Sequence, residues 1–140
     1  MEERRRTVRG LFRELKGALH GAALALLAGA GQACELPPGV RVESGRLAVS
    51  YRTVPANIAV GQPFVLELSA CPKQGGAVSG RVKLDAHMPE HRHGMNYRTR
   101  VVPVAPGRFH SEGWLFHMPG RWEFVFDIGA ERLTHSVRIE

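Results

Sequence analysis

The sequence predicts an all-β protein, an immunoglobulin-like antiparallel β-sandwich of about seven strands, preceded by an N-terminal signal helix. Short stretches in which apolar and polar residues alternate recur from residue 46 to the C-terminus. Gly, Pro or Asn residues bound each stretch, as expected of turns between strands. After residue 33 no segment shows a sustained 3.6-residue apolar period, so helices are not expected there.

The first 33 residues have the layout of an export signal. Six basic side chains come first, then the short apolar run "ALHGAALALLAGA", then small residues before Cys34. The apolar run contains His20 and is shorter than the roughly 20 residues that a membrane-spanning helix needs. We therefore expect a cleaved signal peptide over residues 1–33 and a periplasmic protein. The alternative is a retained anchor that leaves the protein facing the periplasm.

The rest of the chain divides into a lead-in and one domain. Residues 34–45, "CELPPGVRVESG", form a Pro/Gly-rich lead-in, and residues 46–140 form the sandwich domain. In "RWEFVFDI" the apolar side chains of Trp122, Phe124, Phe126 and Ile128 share one face. Pro103 predicts an edge strand or a bulge, because proline cannot donate a hydrogen bond to a neighbouring strand. The other predicted strands are "RLAVSYRT", "FVLELSAC", "GRVKLDAH", "YRTRVVPV", "RFHSEGWLF" and "RLTHSVRIE".

The charge of the chain gives no reason to expect a nucleic-acid partner. The formal net charge is +6, but the first 33 residues hold six of the nineteen Lys and Arg and three of the thirteen Asp and Glu. The remainder therefore carries a net charge of +3. No basic stripe interleaved with aromatic residues is present, so nucleic-acid binding is disfavoured.

The two cysteines, Cys34 and Cys71, predict a disulfide. In an exported protein a single pair of cysteines is most simply one bridge, here between the lead-in and "SACPKQGG". The alternative is that one of the two is a thiolate ligand to copper.

Histidine and methionine gather in two short stretches, "DAHMPEHRHGMNYR" and "FHMPGRW". Thioethers are soft ligands that suit Cu(I), and imidazole suits copper and zinc. Outside the cytosol thiols are readily oxidised, so a set of His and Met ligands is a practical way to hold Cu(I). The sequence therefore predicts a copper site whose candidate ligands are His87, Met88, His91, His93, Met95, His117 and Met118.

Strand geometry narrows that set. In an extended strand His87 and Met88 point to opposite faces, and Pro89 ends the strand. The segment "EHRHGM" is expected to form a loop. The preferred ligands are His91, His93 and Met95 with one of His117 or Met118, and His87 is the next candidate. In the alternative interpretation both stretches are structural loops, with methionines that fill gaps in the core.

These two stretches resemble the YtkA-like family of small exported bacterial β-sandwich proteins. The family signature is an MP-x-H-x-HGM segment, then PG-x-F, then G-x-x-F-x-MPG-x-W. The resemblance covers roughly residues 62–128 and implies the fold more than an activity. The matching residues are Met88-Pro89, His91, His93-Gly94-Met95, Pro106-Gly107, Phe109, Gly113, Phe116, Met118-Pro119-Gly120 and Trp122.

A weaker similarity connects the chain with periplasmic chaperones that hold Cu(I) through two His and two Met. In those proteins 21 residues separate a methionine from the final histidine, and the same gap separates Met95 from His117. The first spacing is shorter here, since only six residues lie between Met88 and Met95, and His117 and Met118 are adjacent.

We therefore expect a non-enzymatic protein that carries Cu(I) and delivers it to a copper-receiving periplasmic or membrane protein, such as an oxidase. The alternative function is a non-metal interaction module for the assembly of a membrane or periplasmic complex. That module would use the same loops, with Trp114 and Trp122, as its docking surface.

Overall fold

The computed structural model describes residues 34–140, so the expected signal segment lies outside the described residues. This part of the chain is all-β, and it contains no helix that is long and apolar enough to cross a membrane. The strands are β1 (Val40–Glu43), β2 (Leu47–Val54), β3 (Pro63–Pro72), β4 (Val82–Met88), β5 (His93–Gly94), β6 (Arg100–Ala105), β7 (Arg108–Leu115), β8 (Gly120–Ile128) and β9 (Glu131–Ile139).

The strands form two antiparallel sheets. One sheet has five strands in the order β1-β2-β3-β7-β6, and the other has four in the order β5-β4-β8-β9. Apolar side chains from both sheets make up a single core, which confirms the predicted β-sandwich architecture.

The predicted alternation decides which side chains enter that core. In β8 all four residues of the predicted apolar face, Trp122, Phe124, Phe126 and Ile128, are buried. In β4 Leu84, Ala86 and Met88 are buried, while Lys83, Asp85 and His87 are not. Successive strand residues point to opposite faces, so a period of two in the sequence becomes an inner and an outer face.

The strand count differs from the prediction in two places. β1 lies inside the expected lead-in and pairs with β2. Its residues Val40 and Val42 alternate with Arg41 and Glu43, which is the pattern of a strand. β5 is a two-residue strand inside the expected loop, paired with the end of β4. β6, which holds Pro103, is an edge strand with a register shift after Pro103, as expected for proline.

The predicted disulfide is present. Cys34 and Cys71 are bonded, with their Cα atoms 5.5 Å apart, and the bridge attaches the lead-in to the C-terminal end of β3. The hydroxyl of Ser50 donates a hydrogen bond of 2.7 Å to the carbonyl of Pro37, which holds the lead-in against β2. Both cysteines are therefore structural, and the thiolate alternative is wrong.

Both tryptophans belong to the core. Trp114 and Trp122 are 1% and 0% exposed. The Trp114 Nε1–H donates to the hydroxyl of Ser111, and the ring of Phe116 stacks on Trp122 at 4.4 Å between centroids. The expectation that these two side chains form a docking surface is wrong, because the alternation that defines β7 and β8 turns them inward.

Candidate metal site

The two His/Met stretches meet at one end of the sandwich. The ring centroid of His93 lies 5.2 Å from that of His117 and 5.8 Å from that of His91. His91 belongs to the β4–β5 connection, His93 begins β5, and His117 belongs to the β7–β8 connection. We call these three side chains the histidine junction. It contains three of the seven ligands that the sequence predicts.

A tight turn presents the first two histidines. The carbonyl of Met88 accepts hydrogen bonds from the backbone N–H groups of His91 (3.2 Å) and Arg92 (2.9 Å). Arg92 has a φ of 56°, the left-handed region that side chains with a Cβ rarely adopt. Such a conformation costs roughly 1–2 kcal/mol, and non-glycine residues that hold it are often found at functional sites.

This turn places His93 on the core side of its sheet. His93 pairs with Met88 across the β4–β5 ladder, and directly paired residues project to the same face. Because Met88 points into the core, His93 lies over the edge of that core. An ion pair of 3.0 Å between Glu90 and Arg121 connects the turn with β8, although both partners are partly exposed and add little stability.

Hydrogen bonds on both sides fix the segment that carries His117. The carbonyl of Phe116 accepts from the N–H of Gly61 at 2.8 Å. The indole Nε1–H of Trp122 donates to the carbonyl of Met118 at 3.0 Å. His117 is thus held between two anchored carbonyls.

The indole of Trp122 forms a wall beneath the histidine junction. Its ring lies 5.4 Å from that of His117 and 6.1 Å from that of His93, at interplanar angles of 82° and 72°. These edge-to-face contacts leave the two imidazoles beside one another over a buried apolar surface. His91, in contrast, is exposed in the turn.

Two ring nitrogens are available as ligands. Nδ1 of His93 lies 3.1 Å from the carbonyl of Gly94, and because a carbonyl only accepts, this nitrogen carries the proton. In the neutral ring Nε2 of His93 is then unprotonated, and its lone pair is free to bind a metal. This is the usual arrangement of a metal-binding histidine. Nδ1 of His117 is the single buried side-chain polar atom within residues 34–140 that has no hydrogen-bond partner. A buried polar atom without a partner calls for a water molecule or an ion.

The spacing of His93 and His117 fits a shared ion. Two imidazoles that bind one ion at about 2.0 Å with a near-tetrahedral angle place their ring centroids about 5 Å apart. The observed 5.2 Å matches this value, whereas the 5.8 Å to His91 is longer. Over residues 34–140 no group of three His, Cys, Asp or Glu side chains stands ready to hold a metal ion. Within these residues two imidazoles, those of His93 and His117, thus have the spacing that a shared ion would require.

His87 lies away from the histidine junction, whereas Met88 is the strand partner of His93 but is buried in the core. His87 projects from the outer face of its sheet, where Nε2 lies 3.5 Å from a carboxylate oxygen of Glu123 on β8. Met88 is fully buried, and a Cβ built on Gly120 would lie 2.7 Å from its Cε. The opposite orientation of these two neighbours follows the predicted alternation.

Met95 and Met118 flank the histidine junction in the sequence, and both pack against the core while they remain partly buried. Met95 also lines a cleft beside β4, together with Val82, Thr99 and Val101. Of the ligands predicted from the sequence, the imidazoles of His91, His93 and His117 are thus the ones that lie next to one another.

The two remaining histidines of residues 34–140 have other partners. Nδ1 of His135 lies 2.7 Å from the hydroxyl of Tyr51, and burial raises the pKa of that phenol well above its usual range. His110 lies 3.4 Å from a carboxylate oxygen of Glu112. Sequence reasoning did not identify Trp122 as the wall of the site, since its alternation indicates only that it belongs to the core.

Comparison of the chain with family models, with curated proteins and with solved structures finds no match. The resemblance to the YtkA-like family therefore depends on the motif residues alone.

Proposed function

We propose that this protein is exported, has an immunoglobulin-like sandwich of the YtkA-like type, and carries copper to a receiving periplasmic or membrane protein. The observation that supports this function is the pairing of His93 and His117 at 5.2 Å, with the buried Nδ1 of His117 left without a partner. A buried nitrogen without a partner lowers the stability of the fold, and a bound ion would supply the missing partner.

Copper suits the donors better than the hard cations do. Imidazole binds copper strongly, and among divalent first-row metals a given nitrogen site prefers Cu(II). Calcium and magnesium require carboxylate-rich sites. The acidic side chain of the turn, Glu90, is paired with Arg121.

The incomplete ligand set suits a carrier. Two histidines lie over the rigid wall of Trp122, and the third lies on an exposed turn. A metal held by two fixed ligands and one exposed ligand can exchange one ligand at a time with the ligands of a partner. A structural metal site would instead have a closed set of four protein ligands.

A copper titration of the full chain against a chromophoric chelator tests this proposal. We expect one copper ion per chain, and binding that falls sharply in the double variant His93→Asn/His117→Asn. The matched control is His87→Asn, which removes a histidine of the same stretch on the outer face and should leave the affinity unchanged. Circular dichroism of each variant shows that the sandwich is intact.

Equal affinity in the double variant and the parent would contradict the proposal. So would binding that disappears only when His87 is changed. Either result would place copper binding outside the histidine junction. If the parent protein itself bound no copper, the alternative function as a non-metal interaction module would be favoured, with a docking surface other than the buried tryptophans.

A further inference from the structure

We infer that the histidine junction is an imidazole site that prefers Cu(II) to Cu(I), with His93, His117 and His91 as its protein ligands. This inference rests on the proposed copper function and specifies the oxidation state of the metal. It departs from the expectation of Cu(I), which followed from the methionines in the sequence.

The donor atoms that the fold brings together are nitrogens. The available atoms are Nε2 of His93 and the buried Nδ1 of His117, and the exposed ring of His91 lies next to His93. Imidazole with open positions for water or other oxygen ligands is a typical environment of Cu(II), whereas thioether sulfur selects Cu(I).

The three methionines of residues 34–140 make apolar packing contacts, Met88 in full burial and the other two in partial burial. Met88 is fully buried and sits against Gly120, and Met95 and Met118 pack on the core. A thioether that moved to a metal would have to leave apolar contacts, which opposes its recruitment. Cu(I) would thus gain little from sulfur at this site.

The spacing of the rings of His93 and His117 also favours Cu(II). Cu(I) with two imidazoles favours a nearly linear arrangement, in which the ring centroids would lie about 6 Å apart at the same metal–nitrogen length. The observed 5.2 Å corresponds to a bent arrangement that leaves room for further ligands. The ring of His91, 5.8 Å from that of His93, is the neighbouring imidazole that can supply such a ligand, and Trp122 packs edge-to-face on His117.

Two titrations of the full chain test the inference, one with Cu(II) in air and one with Cu(I) under anaerobic conditions, each against a chelator specific for that state. We expect tighter binding of Cu(II), and an electron paramagnetic resonance spectrum with nitrogen hyperfine structure from more than one imidazole. His117→Asn should weaken Cu(II) binding by at least about 100-fold, the upper end of what the loss of an outer hydrogen-bond partner of a ligand costs.

The matched control is the double variant Met95→Leu/Met118→Leu, which removes both sulfurs and conserves volume. Its Cu(II) affinity should equal that of the parent, and Zn(II) should bind more weakly than Cu(II). Tighter binding of Cu(I) that this Met double variant abolishes would overturn the inference and leave the proposed copper function intact. Failure of both oxidation states to bind would overturn the function and the inference together.

Discussion

Gly120 controls how the second His/Met stretch enters β8. Its φ of 129° is a conformation that residues with a Cβ rarely adopt, and a Cβ at this position would lie 2.7 Å from Cε of Met88. Met88 is fully buried, so it has little room to withdraw. The glycine of the "HMPG" segment is thus explained by backbone geometry and by close packing together.

The variant Gly120→Ala should therefore lower the free energy of unfolding by about 2 kcal/mol, from backbone strain and the clash with Met88. Urea denaturation followed by tryptophan fluorescence measures this change. Gly45→Ala is the control, since a Cβ there meets no atom within 4 Å. Equal stability of the two variants would mean that the contact with Met88 does not constrain Gly120.

Among the strands and turns, the connection between β7 and β8 joins the core to the histidine junction. Trp122 lies in β8, stacks on Phe116 just after the end of β7, and donates its Nε1–H to the carbonyl of Met118 between them. One indole thus packs in the core, fixes the segment that carries His117, and forms the wall under two imidazoles.

The variant Trp122→Phe should separate these contributions. It keeps an aromatic ring but leaves the carbonyl of Met118 without its donor, which costs about 1–3 kcal/mol of stability. Because that bond positions His117, copper affinity should fall by roughly tenfold as well. Chelator competition and urea denaturation of the same sample measure the two effects.

Trp114→Phe is the matched control for this variant. It also removes an indole hydrogen bond, here to Ser111 within β7, but that bond does not touch the β7–β8 connection. Its stability should fall by a similar amount while copper affinity stays unchanged. If both variants lost affinity equally, the effect of Trp122 would be a general loss of packing.

The strands could be predicted from the sequence because a period of two is a local signal. The alternation of β4 and β8 identified their inner faces and separated His87 from Met88 correctly. The two-residue β5 is too short for any period, and β1 is hidden in a segment rich in Pro and Gly.

The candidate site could be predicted only in part, because it depends on contacts between residues that are far apart in the sequence. The contact between His93 and His117 depends on which strands end at the same edge, and Trp122 faces both rings only because β8 pairs with β4. The full burial of Met88 and the partial burial of Met95 and Met118 depend on packing between strands, which the order of residues along the chain does not contain.

At the scale of the whole molecule the disulfide and the histidine junction occupy different ends. The histidine junction lies just beyond the C-terminal end of β7, where Leu115 pairs with Pro63 at the start of β3. Cys71 lies near the other end of β3. At 3.3 Å per residue the strand separates these two points by about 26 Å. Removal of the disulfide should therefore lower the stability of the fold without changing the affinity of the histidine junction for copper.

The double variant Cys34→Ala/Cys71→Ala tests this independence. Loss of a bridge that spans 37 residues should lower the free energy of unfolding by about 3–4 kcal/mol, chiefly because the unfolded chain gains freedom. Urea denaturation measures this loss, and the parent protein unfolded in a reducing agent separates the lost bond from the changed side chains. Copper affinity, measured without reductant at a temperature where the variant is folded, should equal that of the parent. A large fall in affinity would show that the lead-in and the histidine junction are coupled through β3.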